Sequence, residues 1–122
     1  MTVMDHLGIY VSDMERSLAF YRDVFGFEEH SRLNLGETRI VFLDIGKGLL
    51  ELVQRPGAPG EPPKGSWSHL ALHAEDFDGL LSKIVEMGLE HRTSTIGDGS
   101  RIAFFKDPDG HDLEIDEKPF DQ

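Results

Sequence analysis

Two histidines and two glutamates in this 122-residue chain share one spacing: Glu51 follows His6 by 45 positions, and Glu114 follows His69 by the same 45. Imidazole nitrogen and carboxylate oxygen are both ligands of divalent metals, and two of each make an N2O2 set suited to Zn, Ni, Fe, Co or Mn. On a cation that accepts six ligands, four protein donors leave two positions for water or substrate oxygens, the setting for Lewis-acid chemistry. Taken singly, a strand histidine is more often a surface residue or a satisfied core residue, and a strand glutamate is usually solvated. The pairing is what gives these four weight, since His30, His73, His91 and His111 have no such companions.

The common spacing belongs to a wider repeat at an offset of 63. "HLGIYVSDMERSLAF" from His6 lies over "HLALHAEDFDGLLSK" from His69. Without a gap, His6, Leu7, Asp13, Leu18, Gly36, Phe42, Asp44 and Glu51 meet His69, Leu70, Asp76, Leu81, Gly99, Phe105, Asp107 and Glu114. Chance would supply roughly three or four such identities at ordinary residue frequencies. A proline-rich stretch, "RPGAPGEPPKGS", separates the halves and cannot form regular structure. The expected organisation is one domain over 1–122, with modules at 1–55 and 66–122 and a linker at 56–65.

Each half reads as βαβββ, giving an α+β chain. A first strand (about 4–11, then 67–74) ends at Asp13 or Asp76, both good helix N-caps. A helix follows with an apolar stripe of Met14, Leu18, Tyr21 and Phe25, or of Phe77, Leu80, Leu81, Ile84 and Met87. Gly26 and Gly88 stop the helices. Three strands complete each half, near 27–34, 38–45 and 48–54, then 89–95, 101–106 and 111–116. Period-two alternation sends Leu7, Ile9, Val11, Leu50 and Leu52 toward the helix, and Leu70, Leu72, Ala74, Leu113 and Ile115 likewise. His6, Glu51, His69 and Glu114 are thereby turned to the other face. Tyr10, Arg55 and His73 share that face and are candidates for substrate contact, with Asp112 and Asp116 beside the second glutamate. Trp67, opposite Met4 in the repeat, is expected to pack at the core or the pocket rim.

Composition narrows the partners. A net charge of -11 argues against nucleic acid and anionic membrane surfaces. The lack of cysteine excludes a catalytic thiol, disulfides and thiolate metal sites. With no leader pattern and no apolar run of membrane-spanning length, the expected location is the cytoplasm. "DPDGHDLE" has calcium-loop residue types but is too short for the twelve-residue EF-hand loop, and a hairpin turn explains it better.

The stretches "HLGIYVSDMERSLAFYRDVFGF", "LLELV", "SHLALHAEDFD" and "FFKDPDGHDLEI" together resemble the vicinal oxygen chelate superfamily, which includes glyoxalase I, fosfomycin-resistance enzymes, extradiol dioxygenases and bleomycin-resistance proteins. The resemblance implies paired βαβββ modules forming a curved eight-stranded mixed sheet, with helices on the convex side and metal and substrate in the concave face. It carries the metal positions of the glyoxalase I branch onto His6, Glu51, His69 and Glu114, with one divalent metal ion as cofactor. Fosfomycin-resistance and extradiol enzymes typically use two histidines and one glutamate, matching His6, His69 and Glu114. Fosfomycin enzymes of this type carry threonine where this chain has Gly8. Glutathione-using glyoxalases carry an arginine at Tyr10 and an asparagine at Arg55, so these two residues point away from glutathione as the thiol.

The resemblance therefore implies a metal-dependent lyase or isomerase of the glyoxalase type. It would stabilise an enediolate of a small vicinal-oxygen substrate such as a hemithioacetal, with Glu114 or Glu51 as the base and Glu114 preferred. A metal-dependent thiol transferase or dioxygenase on the same scaffold, or a metal-free binding or resistance protein, are the alternatives. Related short chains often build the metal site from modules of two subunits, so a homodimer is expected here, and the sequence leaves open whether His6 and Glu51 meet His69 and Glu114 within one chain or across two.

Overall fold

A computed structural model describes residues 4–57 and 69–119, which fall into two compact units, one within Met1–Pro62 and the other within Pro63–Gln122. Residues 58–68 hold most of the expected linker, Trp67 and the first positions of the expected strand at 67–74. They lie outside the described residues. Among the described residues no helix is long and apolar enough to cross a membrane.

The first unit runs β1 (His6–Tyr10), α1 (Met14–Phe25), β2 (Glu28–Leu35), β3 (Thr38–Asp44) and β4 (Leu49–Gln54). The second runs β5 (Leu70–His73), α2 (Phe77–Glu86), β6 (His91–Thr95), β7 (Arg101–Lys106) and β8 (Asp112–Asp116). The expected tandem βαβββ modules are present, and the eight strands are hydrogen-bonded as two sheets of four, ordered β1-β4-β3-β2 and β5-β8-β7-β6. In each sheet the first strand lies parallel to the last, and the other pairings are antiparallel. The helix supplies the crossover that a parallel pairing requires.

Both helices begin where the aspartates predicted. The Asp13 carboxylate accepts from the Arg16 amide at 3.2 Å, and that of Asp76 from the Gly79 amide at 3.0 Å. Each satisfies a donor that the first turn would otherwise leave open. Gly26 ends α1 at φ 74°, a left-handed conformation in which a side chain is strained. The apolar stripe of α1 is rotated from the expected one. Met14, Ser17, Phe20, Tyr21 and Val24 are buried, whereas Leu18 and Phe25 are only half-buried. Spacing by three and four around Met14 and Tyr21 admits both sets, and a fully buried serine in the middle of the stripe hides the true one. In α2, Phe77 and Ile84 are buried, and Met87, expected in the core, is 41% exposed. It caps the helix beyond its last packed turn.

The repeat holds for the first and last strands of each half and slips in the third. Phe42 pairs with Glu51 across β3 and β4, and Phe104, not Phe105, pairs with Glu114 across β7 and β8. Phe105 instead faces Leu113 and is 4% exposed in the core. The turn explains the slip: residues 45–48 join β3 to β4, and residues 107–111, one more, join β7 to β8. A one-residue change of register reverses the face of every side chain.

The longer turn is held by one buried carboxylate. Asp107 accepts from the Asp109 amide at 2.9 Å, the His111 amide at 2.9 Å and His111 Nδ1 at 2.7 Å. The hydrogen bond to Asp107 raises the His111 pKa above its ordinary 6.5, against the opposing effect of burial. A histidine whose pKa is raised on folding contributes stability in full below its unfolded value and loses it as pH climbs through the folded value. Urea unfolding midpoints are expected to fall as pH rises above about 6.5. His111→Asn should reduce that slope, and Asp107→Ala should cost about 3 kcal/mol at low pH, where it also removes the partner of the charged His111, and less as pH rises above about 6.5.

Candidate active site

The parallel pairing of β1 with β4 places Gly8 opposite Glu51, and His6 lies on the same face two residues earlier. His6 Nε2 stands 3.9 Å from Glu51 Oε1. The other ring nitrogen, Nδ1, is 2.7 Å from the Asp5 carboxylate, whose hydrogen bond raises the His6 pKa. A neutral ring that donates Nδ1–H to Asp5 presents its Nε2 lone pair toward Glu51, the orientation that outer carboxylates impose on ligand histidines. Phe42 packs edge-on to the same ring, with centroids 5.5 Å apart. The Glu51 carboxylate occupies space that Gly8 leaves open. A Cβ added at Gly8 would stand 2.7 Å from Glu51 Oε1, closer than real Cβ contacts allow.

The second unit repeats the arrangement with different supports. Ala71 stands opposite Glu114, and His69 precedes it by two residues. His69 Nε2 is 3.4 Å from Glu114 Oε1, and Phe104 lies edge-on to His69 at 6.4 Å. The histidine side chains are alike in exposure, 40% for His6 and 39% for His69, but Glu114 is the more enclosed glutamate, at 10% against 20% for Glu51.

Beside Glu114 lies Asp116, 4% exposed, with Oδ1 buried and without a hydrogen-bond partner among the described residues. Burial first, then a hydrogen bond to Glu114 and the charge of that group, push the Asp116 carboxyl up to about 7, against a smaller opposing pull from His69 and His73. A hydrogen bond between two carboxyl groups requires a proton on one of them.

The structure brings together His6 with Glu51, His69 with Glu114, and Tyr10 with Arg55, whose guanidinium carbon sits 4.1 Å above the Tyr10 ring. Tyr10 and Arg55 line a small recess with Val11, Val53 and Gly57. His73 is exposed on β5 and pairs in register with Asp116. Among the described residues no three metal-ligating side chains are gathered in one cluster; each half offers a pair. Two imidazoles and two carboxylates fit a divalent cation chemically. The cradle at Gly8 and the unsatisfied oxygen beside Glu114 fit polar groups added to that face. Asp5 and the two aromatic partners escaped the sequence reading. Asp5 adjoins His6, so adjacency was its only signal.

Comparison with known proteins gives a consistent set of similarities. Residues 3–115 match the family model described as "Glyoxalase/Bleomycin resistance protein/Dioxygenase superfamily". A metallothiol transferase FosB of Lysinibacillus sphaericus is 32% identical over 122 residues, spanning 94% of this chain and 83% of that protein. A probable lactoylglutathione lyase of Synechocystis is 29% identical over 125 residues, spanning 90% of this chain and 91% of that one. The crystal structure of a glyoxalase family protein from Enterococcus faecalis matches with a TM-score of 0.78 at 27% identity, covering 94% and 97% of the two chains.

Gly8→Ala tests whether the open space at Gly8 serves Glu51. Alanine is no worse than glycine in a strand, so urea stability should change by less than about 1 kcal/mol. Displacing the carboxylate should weaken Zn2+ binding, measured by competition with a colorimetric chelator, by about tenfold or more. Unchanged affinity would separate Glu51 from the metal.

Proposed function

This chain belongs to the glyoxalase/bleomycin resistance protein/dioxygenase superfamily, and from that premise we propose that it is a metal-dependent enzyme of the glyoxalase type. It moves a proton between adjacent carbons of a small substrate with vicinal oxygens, such as the hemithioacetal of a 2-oxoaldehyde. The observation that carries this reading is the doubled His–Glu pair, at 3.9 Å and 3.4 Å, with four donors of the types that hold a divalent ion. His6, Glu51, His69 and Glu114 would hold it. When bound, the ion supplies Lewis-acid polarisation of the two substrate oxygens.

The remaining chemistry falls to this chain's own side chains. Glu114, enclosed between His69 and Asp116, takes a proton from the substrate carbon at a carboxylate oxygen and returns it to the neighbouring carbon. Asp116, buried two residues further along the same face of β8, restricts where the Glu114 carboxylate can go. Asp5 fixes the orientation of His6. Tyr10 with Arg55, and His73 on β5, contact the non-reacting part of the substrate.

A second reading, thiol transfer, is supported by the 32% identity to a metallothiol transferase over nearly the whole chain. In that case the same donors hold the ion and the base role of Glu114 lapses.

Elemental analysis after growth with Ni, Zn, Mn and Fe should find about one metal per chain, falling below about 0.1 in His69→Ala. Methylglyoxal incubated with a panel of thiols should be isomerised, and Glu114→Gln should slow the reaction by about a thousandfold. Consumption of fosfomycin with a thiol, with methylglyoxal left unisomerised by every thiol of the panel, would select the transferase reading. A metal-free protein with neither activity would overturn both.

A further inference from the structure

In a chain of net charge -11, an arginine without a carboxylate partner is conspicuous. Arg22, Arg32, Arg39 and Arg101 each form an ion pair with a nearby acid. Arg92 on β6, like Arg55 over Tyr10, forms none among the described residues. Its guanidinium carbon lies instead 4.7 Å over the face of Phe104. Strand register explains why that position matters. Arg92 pairs with Phe104, Phe104 with Glu114, and Glu114 with Ala71, so one row crosses the whole sheet on the face that carries the His–Glu pair. Arg92 stands two strands from Glu114, about 10 Å along that row, and stacking over Phe104 shortens the gap. The equivalent row of the first unit reads Ser31, Phe42, Glu51, Gly8, with a serine in place of the arginine.

The row borders a cleft of about 340 Å³, lined by Leu89, His91, Arg92, Phe104, Lys106 and Asp112 among others. Its floor is apolar and aromatic. Lys106 is neutralised by Asp112 at 2.6 Å, which leaves Arg92 as the lining cation without an acidic partner, although Glu90 also lines the cleft. An aromatic-backed guanidinium keeps its planar fork of donors open at the edge and matches the paired oxygens of a carboxylate or phosphonate. We infer that this cleft is a binding subsite in which Arg92 recognises an oxyanion on the substrate, so that the substrate of the reaction proposed above is anionic. The inference rests on that reading for the word substrate, and on geometry alone for the anion site. Phe104, touching both His69 and Arg92, sets the distance between the reacting carbons and the anion.

Side-chain and amide NMR of the full chain, metal-free and Zn2+-loaded, tests this with three probes: methylphosphonate, propionate and acetohydroxamic acid, a vicinal-oxygen chelator without a separate anionic group. At least one of the two anions should shift the Arg92 Nε–H signal saturably, in both forms. Arg92→Gln should weaken that anion by about tenfold or more, and Arg92→Lys by less, since a charged hydrogen bond is worth about 1.5–3 kcal/mol. Acetohydroxamic acid should bind the Zn2+-loaded variant as it binds the parent. Stronger binding of methylphosphonate would mark a phosphonate or phosphate substrate, and stronger binding of propionate a carboxylate. The inference is overturned if neither anion moves Arg92, if Arg92→Gln binds them unchanged, or if it loses acetohydroxamic acid equally. Zn2+ that fails to perturb His69 would sink the metal reading by itself, with the anion results still deciding Arg92.

Discussion

Everything at the site depends on one backbone constraint, the parallel pairing of the first strand of each half with the last. That pairing aligns Gly8 with Glu51 and Ala71 with Glu114. It fixes which residues, far apart in sequence, stand side by side. A histidine two residues before each pairing point then shares a face with the glutamate. The crossover helix makes the parallel contact reachable, and the buried rows of Leu50, Leu52, Leu113 and Ile115 pin the register by facing the core. A slip of one residue would bury the glutamates and expose the leucines, so core packing and site geometry are enforced by the same hydrogen bonds.

The two halves use that frame unequally. In the first, an aspartate orients the histidine, a glycine seats the glutamate, and the row ends in a serine. In the second, an alanine replaces the glycine, the glutamate is deeper and shares its face of β8 with a buried aspartate, and the row ends in an arginine. The duplicated pair of donors is thus surrounded by unlike groups. Under the proposed function those differences amount to a division of labour, with ligand placement in the first half and proton transfer and recognition in the second.

Much of this was legible in the sequence because strand alternation and capping are local rules. Asp13, Asp76, Gly26 and the two His–Glu pairs were found from spacing alone, and the superfamily phrases agreed with them. What escaped depended on information that spacing does not carry. The match of Phe42 with Phe105 failed because a turn one residue longer reversed the face of the second phenylalanine. The burial of Asp116 was invisible, since alternation assigns a polar residue to an open face while β8 is covered on both sides from Leu113 to Asp116. Arg92 lies on a strand exposed throughout, where no periodicity marks one position above another.

The seat at Gly8 has a mechanical consequence. A Cβ there would stand 2.7 Å from Glu51 Oε1, so any side chain at position 8 makes that carboxylate swing away. The carboxylate is the flexible end of its side chain, and the adjustment is made by its rotamer while the strands stay in place. If Glu51 is a donor to the proposed ion, position 8 works as a fine adjustment on how firmly that donor is held, separate from anything the core requires.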